Sequence, residues 1–218
     1  MNLEIIKTND NSDTILNRDF NEIFHSTNGA LSESLHVFIK SGLEFISQNK
    51  KELTIFEVGF GTGLNAILTY NFAKENNLFI KYYSIEFYPL EENIWKKLNY
   101  TDFCDKDIFY NLHEANWEQK CLLSDNFELY KINKDLLSFD TDKKFDLVYF
   151  DAFSPEKQPE LWTKDIFDKI YSFMNNNSVL VTYCAKGQVR RDMQEVGFIV
   201  EKLKGPLGKR EILRASKK

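Results

Sequence analysis

The sequence predicts an α/β fold with a mostly parallel sheet, closed at its C-terminal end by an antiparallel hairpin. Three observations predict it. From Leu53 onward, short β-like runs alternate with helical patterns, as in a parallel sheet covered by helices. A glycine-rich turn, "EVGFGTG" (Glu57–Gly63), joins the first of these runs to a helical pattern. The last two runs, Phe198–Lys202 and Arg210–Ala215, are separated by a Gly/Pro/Gly segment too short to hold a helix, so they pair antiparallel.

The elements follow in order. Leu3–Thr8 and Thr14–Leu16 flank an Asn/Asp/Ser cluster and read as a hairpin. Gly29–Gln48 carries Leu31, Leu35, Phe38, Ile39, Leu43 and Ile46 at helical spacing. Leu53–Val58, Lys81–Glu86, Phe127–Ile132, Phe145–Phe150 and Val179–Tyr183 are strand-like. Leu64–Lys74, Leu90–Leu98, Lys164–Met174 and Gln188–Val196 are helical. With the terminal pair, this makes a seven-stranded sheet. Residues 101–126 break the alternation and read as a helical insertion with Phe109, Leu112 and Trp117. We therefore expect an N-terminal extension over residues 1–50 (hairpin and lid helix) packed on a catalytic domain over 51–218.

Bulk composition narrows the classes. The chain has 218 residues, enough for one domain with a sizeable core, and its 43% hydrophobic and 28% charged content is that of a globular protein. No apolar run reaches the ~20 residues of a membrane span, so no membrane partner is expected. Cys104, Cys121 and Cys184 are widely spaced, which suggests neither a disulfide framework nor a metal site and fits the reducing cytoplasm. The net charge of −5 argues against a general polyanion binder, yet Lys202–Lys218 holds seven basic residues against one acid. A polyanion can still be met locally at that end.

The glycine turn sits where doubly wound folds bind ligands, outside the C-terminal ends of the strands. Dinucleotide binders place a small residue at the last position of G-x-G-x-x-G; counting from Gly59, that position is Leu64. Here the pattern is E-x-G-x-G-x-G, with Glu57 before Gly59, Gly61 and Gly63. A carboxylate beside the turn disfavours pyrophosphate but favours the ammonium and sulfonium of S-adenosylmethionine (SAM). Glu86, ending the next strand, suits a pair of ribose hydroxyls, and Asp135 suits an adenine amino group. A second constellation is "DLVYFDAFSPEKQPELWT" (Asp146–Thr163). Asp151 ends a strand and precedes Ala152, Phe153 and the Pro155 turn. This stretch resembles the acidic/amide-Pro-Pro-aromatic loop of amino-group methyltransferases, which implies that Asp151 orients an amine and takes its proton, so that a neutral nitrogen stands in line with the S–CH3 bond. The parallel sheet with its terminal hairpin resembles class I SAM methyltransferases.

The chain also resembles a narrower group, the bacterial tRNA 5-aminomethyl-2-thiouridine methyltransferases, known as MnmD or as the methyltransferase half of bifunctional MnmC. The matching segments are Phe24–Leu43, "FEVGFGTGLNAILT" (Phe56–Thr69), "DLVYFDAFSPEKQPELWTKDIF" (Asp146–Phe167) and "GQVRRDMQEVGFIVEKLKGPLGKREIL" (Gly187–Leu213). The resemblance implies SAM as donor and a wobble 5-aminomethyl(-2-thio)uridine of tRNA as acceptor. It implies Asp151 as the catalytic acid, and Glu57, Gly59, Gly61, Glu86 and Asp135 as cofactor residues. With a single glycine-rich turn, we expect no FAD and no oxidase step. Phe153 and Pro155 would frame the acceptor, with a base stacking on Phe24, Phe153 or Trp162. Lys186, Arg190, Arg191, Lys209 and Arg210 would meet anticodon stem-loop phosphates. Residues His25–Glu33 would line the pocket, His25 in a structural role. Two readings compete: an enzyme acting on a small-molecule or protein amine, and a non-catalytic SAM- or nucleotide-binding module. The basic hairpin opposes the first, and the intact Asp151 loop opposes the second.

Overall fold

The computed structural model describes residues 2–48 and 50–218. An eight-stranded sheet is its centre, with the strands in the spatial order β10-β11-β9-β8-β4-β5-β7-β6. In chain order these are β4 (Glu52–Val58), β5 (Phe79–Ile85), β6 (Lys120–Ser124), β7 (Phe127–Ile132), β8 (Phe145–Phe150), β9 (Met174–Thr182), β10 (Ile199–Lys204) and β11 (Glu211–Lys217). Strands β9, β8, β4, β5 and β7 run parallel. Strand β11 is antiparallel to both β9 and β10, so it lies inside the sheet and β10 forms the edge.

One strand departs from the sequence expectation. Lys120–Ser124 lies in the stretch read as a helical insertion, yet it pairs antiparallel with β7 across a two-residue Asp125-Asn126 turn. The insertion does hold a helix, α5 (Lys106–Glu114), capped by Asp105, whose carboxylate accepts from the amides of Asp107 and Ile108. Strand β6 escaped notice because it is short and lies on the edge, with Leu122 exposed. Its register comes from the turn more than from an apolar pattern.

Each face of the sheet is covered. On one face, α3 (Leu64–Asn76), α5 and the N-terminal helix pack over Ile55, Ile80, Tyr82, Leu129 and Tyr149. On the other, α6 (Lys164–Phe173) and α7 (Gly187–Val196) pack over Phe56, Val148, Phe150 and Leu180. The central strands are apolar on both faces, as a doubly covered parallel sheet requires. The segment Glu92–Trp95 is helical for only four residues, shorter than its sequence pattern suggests.

The N-terminal residues form a separate three-stranded antiparallel sheet: β1 (Leu3–Lys7), β2 (Asp13–Asn17) and β3 (Glu22–Ile23). The helix that follows begins as α1 (Ala30–Ser34), widens into a π-helical stretch (Leu35–Leu43) and closes as α2 (Glu44–Ser47). Gly42 in the wide stretch faces the sheet so closely that a Cβ there would lie 2.9 Å from Val181. The extra residue per turn thus seats the backbone directly on β8 and β9.

Candidate active site

The strand order changes direction between β4 and β8, and a cavity of about 420 Å³ opens at their C-terminal ends. Such a switch point is where a doubly wound sheet leaves a crevice. Three loops meet there. Gly59 N–H donates to Ile85 O at 2.9 Å, Asp151 N–H to Val58 O at 3.0 Å, and Glu86 N–H to Ile132 O at 2.9 Å. The glycine turn and the Asp151 loop touch. Gly59 has φ +91°, and a Cβ at that position would stand 2.7 Å from the Asp151 carbonyl oxygen. Both the backbone angle and the space therefore require glycine.

Gly59, Gly61, Glu86, Asp135, Asp151, Phe153 and Lys209 all line the cavity. Glu86 accepts from the Gly61 amide at 3.0 Å through one oxygen and from the Tyr88 amide at 2.9 Å through the other. These bonds fix its plane at the cavity wall, and each oxygen has further accepting capacity. Burial raises its pKa, against the opposing pull of those amides. Asp135 is half-buried and accepts from the Leu137 amide at 2.9 Å.

Glu57 lies elsewhere. It is 0% exposed, outside the cavity wall, and accepts from Ser84 Oγ at 2.6 Å. Burial pushes its pKa up to about 8, opposed by the hydrogen bond from Ser84. At neutral pH it is therefore largely a neutral acid beneath the turn. Gly63 and Pro155 are also away from the cavity wall; Gly63 precedes α3 with φ +74°.

Asp151 receives one side-chain hydrogen bond among the described residues, from Asn65 Nδ2 at 2.8 Å. Burial raises its carboxyl to about 7; Asn65 and Lys209 lower it, while Glu33 raises it. A group titrating there suits proton exchange at physiological pH. Its loop is braced: Trp162 Nε1 donates to Phe153 O at 2.7 Å, and Phe153 N–H donates to Gln158 Oε1 at 3.0 Å. Trp162 is buried and props the loop, so it offers no face for stacking. Phe153 meets Phe24 edge-on at 5.0 Å and Phe20 at 6.4 Å, giving the cavity mouth an aromatic wall.

The N-terminal segment completes this wall. His25 shares hydrogen bonds with Thr14 Oγ1 at 3.0 Å and Thr62 Oγ1 at 3.5 Å. Burial lowers its pKa to about 4, which makes it a neutral bracing residue. Glu33, on α1, pairs with Lys209 at 2.5 Å. Lys209 thus turns inward, unlike its expected partners at the RNA phosphates. Arg210 is exposed, Lys186 is ion-paired with Glu156 on the surface, and Arg190 is half-buried; none of these three lines the cavity. Asn65 and Tyr183 line it without having been singled out in the sequence. For Asn65 the signal was its place, six residues after Gly59 in the first turn of α3. Among the described residues, no cluster of His, Cys, Asp and Glu is arranged to hold a metal ion.

Residues 112–218 match the S-adenosyl-L-methionine-dependent methyltransferase family. The switch-point cavity, with its glycine turn and flanking acids, stands beside that match. The chain is also similar to MnmC proteins. The tRNA 5-methylaminomethyl-2-thiouridine biosynthesis bifunctional protein MnmC of Campylobacter fetus is 32% identical over 213 residues, covering 94% of this chain and 34% of that protein. The chain spans about a third of the length of such curated relatives. The crystal structure of MnmC2 from Aquifex aeolicus superposes with a TM-score of 0.83 at 29% identity, over 99% of this chain and 70% of that one. Spermidine synthase from Thermotoga maritima shares the fold, with a TM-score of 0.59 at 15% identity, over 99% of this chain and 72% of that one.

Proposed function

We propose that this chain transfers a methyl group from SAM to the primary amine of a 5-aminomethyl(-2-thio)uridine at the wobble position of tRNA. The observation that carries the reading is Asp151: a buried carboxylate at the cavity wall, aimed by Asn65 and titrating near neutrality. The kinship with MnmC proteins supplies the acceptor.

The cavity fits SAM. The backbone at Gly59 and Gly61 gives close approach, Glu86 offers acceptors to the two ribose hydroxyls, and Asp135 offers one to the adenine amino group. Bound there, SAM supplies an electrophilic methyl group on a sulfonium. The remaining work falls to the protein. An alkylammonium has no lone pair, so the acceptor must first lose a proton. In the ionised state Asp151 accepts it: an N–H bond breaks and an O–H bond forms. The neutral nitrogen, held near Asp151, then bonds to the methyl carbon as the S–C bond breaks. Phe153 and Phe24 give the pyrimidine ring an aromatic surface beside the reacting amine.

Residues 1–50 act in this reading as an extension that packs on the catalytic domain over 51–218 and closes the acceptor side. Arg210, Lys186, Arg190 and Arg191 would meet phosphates of the anticodon stem-loop. The test is incubation with labelled SAM and tRNA from cells lacking the wobble methyl group, followed by nucleoside analysis. Label in 5-methylaminomethyl uridine supports the reading. Label confined to a small amine or a protein overturns the acceptor, and absence of any transfer overturns the catalytic reading.

A further inference from the structure

Four aromatic rings are exposed among the described residues: Phe20, Phe45, Phe87 and Tyr88. Phe45 carries the Arg214 guanidinium, 3.6 Å from its ring centre. Phe87 and Tyr88 follow Glu86 and meet each other at 4.5 Å, on the side of the cavity assigned above to SAM. Phe20 faces the Asp151 loop instead, 44% exposed and lining the cavity. Its position is built. It lies in the turn between β2 and β3, where the Asn17 side-chain oxygen accepts from the amides of Asp19 and Phe20. Lys157 Nζ donates to the Phe20 carbonyl at 2.9 Å. Lys157 belongs to the loop after Asp151, so the loop that carries Phe153 also holds Phe20. Lys157 pairs with no acid among the described residues, which leaves its charge for a ligand.

Phe24 and Phe153 are half-buried and meet edge-on at 5.0 Å, with Phe153 two residues from Asp151. A base whose amine reaches Asp151 lies against these two rings. Phe20 is the more exposed ring, 6.4 Å from Phe153 and tilted 31° from it. That spacing is about two stacking intervals of ~3.4 Å. A base drawn into a pocket leaves its stack, and its neighbour in the strand loses a partner. We propose that Phe20 is the platform for that neighbour: the base next to the reacting nucleotide stacks on Phe20, and the adjoining phosphate meets Lys157. A ring beside a cation is the pairing that binds single-stranded nucleic acid, and it tolerates any sequence because every base has a π-face. Phe20 touches neither the amine nor SAM. It sets specificity, favouring a nucleotide within a strand over a free nucleoside. This inference rests on the amine-acceptor reading above.

The experiment measures kcat/KM for methyl transfer to an anticodon stem-loop bearing 5-aminomethyluridine, for wild type, Phe20→Ala and Phe20→Trp. SAM binding is measured for each as a check on the fold. Two further stem-loops carry an abasic nucleotide immediately 5′ or immediately 3′ of the reacting one. Phe20→Ala should lower kcat/KM on the intact stem-loop roughly tenfold to a hundredfold, mainly through KM, which is the worth of one stacked base. Phe20→Trp should retain the activity. On one of the two abasic stem-loops wild type should fall to the level of Phe20→Ala, and the substitution should then cost nothing more. If Phe20→Ala fails to bind SAM, Phe20→Leu replaces it, keeping apolar bulk without a flat face. A non-aromatic variant as active as wild type on the intact stem-loop overturns the proposal while leaving the amine reading intact. A loss that persists in full on both abasic stem-loops also overturns it, because Phe20 would then act on the reacting base. Wild-type protein that transfers no methyl group to the intact stem-loop or to the tRNA overturns both.

Discussion

Replacing Glu57 with Gln should stabilise the ligand-free protein at neutral pH. Glu57 is completely buried, and its carboxyl is raised from the usual 4.5 to about 8. Between these values the folded chain holds a proton that the unfolded chain has released. Fewer protons on the unfolded state mean that stability falls as pH rises through this window. At pH 7 the gap above the usual value is about 2.5 units at ~1.4 kcal/mol each, so the linkage cost is about 3–4 kcal/mol at most. Gln mimics the neutral acid: its carbonyl can accept from Ser84 Oγ, now 2.6 Å from Glu57. The Asn65 and Tyr82 side chains also reach this carboxyl. We expect Glu57→Gln to gain ~1–3 kcal/mol at pH 7 to 8, and the gain to vanish in mild acid. Urea unfolding at several pH values, without SAM, measures it. A variant less stable than wild type at pH 8, yet equal to it at pH 5, would refute the protonated state and the reasoning.

Asn65→Ala should raise the pH needed for activity by about one unit, since a hydrogen bond to a charged group is worth ~1.5–3 kcal/mol; an unmoved rate profile would count against Asn65 as the group that aims Asp151. Gly59→Ala should cost ~1–3 kcal/mol of stability and abolish SAM binding, because its backbone is left-handed and its Cβ would collide with the Asp151 carbonyl; calorimetry with and without SAM checks both. Asp151→Ala should abolish transfer while SAM still binds, as equilibrium dialysis can show. tRNA affinity should weaken as salt rises, and each neutralised residue among Arg210, Lys186 and Arg190 that touches phosphate should lower the slope of log K against log salt by about one; an unchanged slope would remove that residue from the interface.

The sheet was legible because its evidence is local. Apolar runs, a glycine turn and strand-end acids stand close together in the chain, and they predicted β4, β5, β8 and the terminal hairpin. The Asp151 loop was legible for the same reason. What remained hidden depends on distance in sequence. Nothing near Lys209 announces that its partner is Glu33, almost the whole chain away, so it read as a contact for anticodon stem-loop phosphates. Glu57 misled in a different way. Its place before the glycines suggested a charge facing the ligand, but strand alternation turns the side chain under the turn, where burial favours the proton. Strand β6 was lost because an exposed edge strand lacks the apolar pattern that marks an interior one.

The sheet order has a consequence for how the protein is made. Strand β10 leaves the ribosome before β11, yet its place at the edge exists only once β11 has inserted beside β9. A nascent chain can therefore assemble the parallel strands and the glycine turn early, but β11 must later slot into the interior of the sheet. Lys209 arrives just ahead of that strand. The cavity wall that Lys209 supplies is thus completed after the parallel strands, and a chain cut short of β11 would leave that wall unfinished.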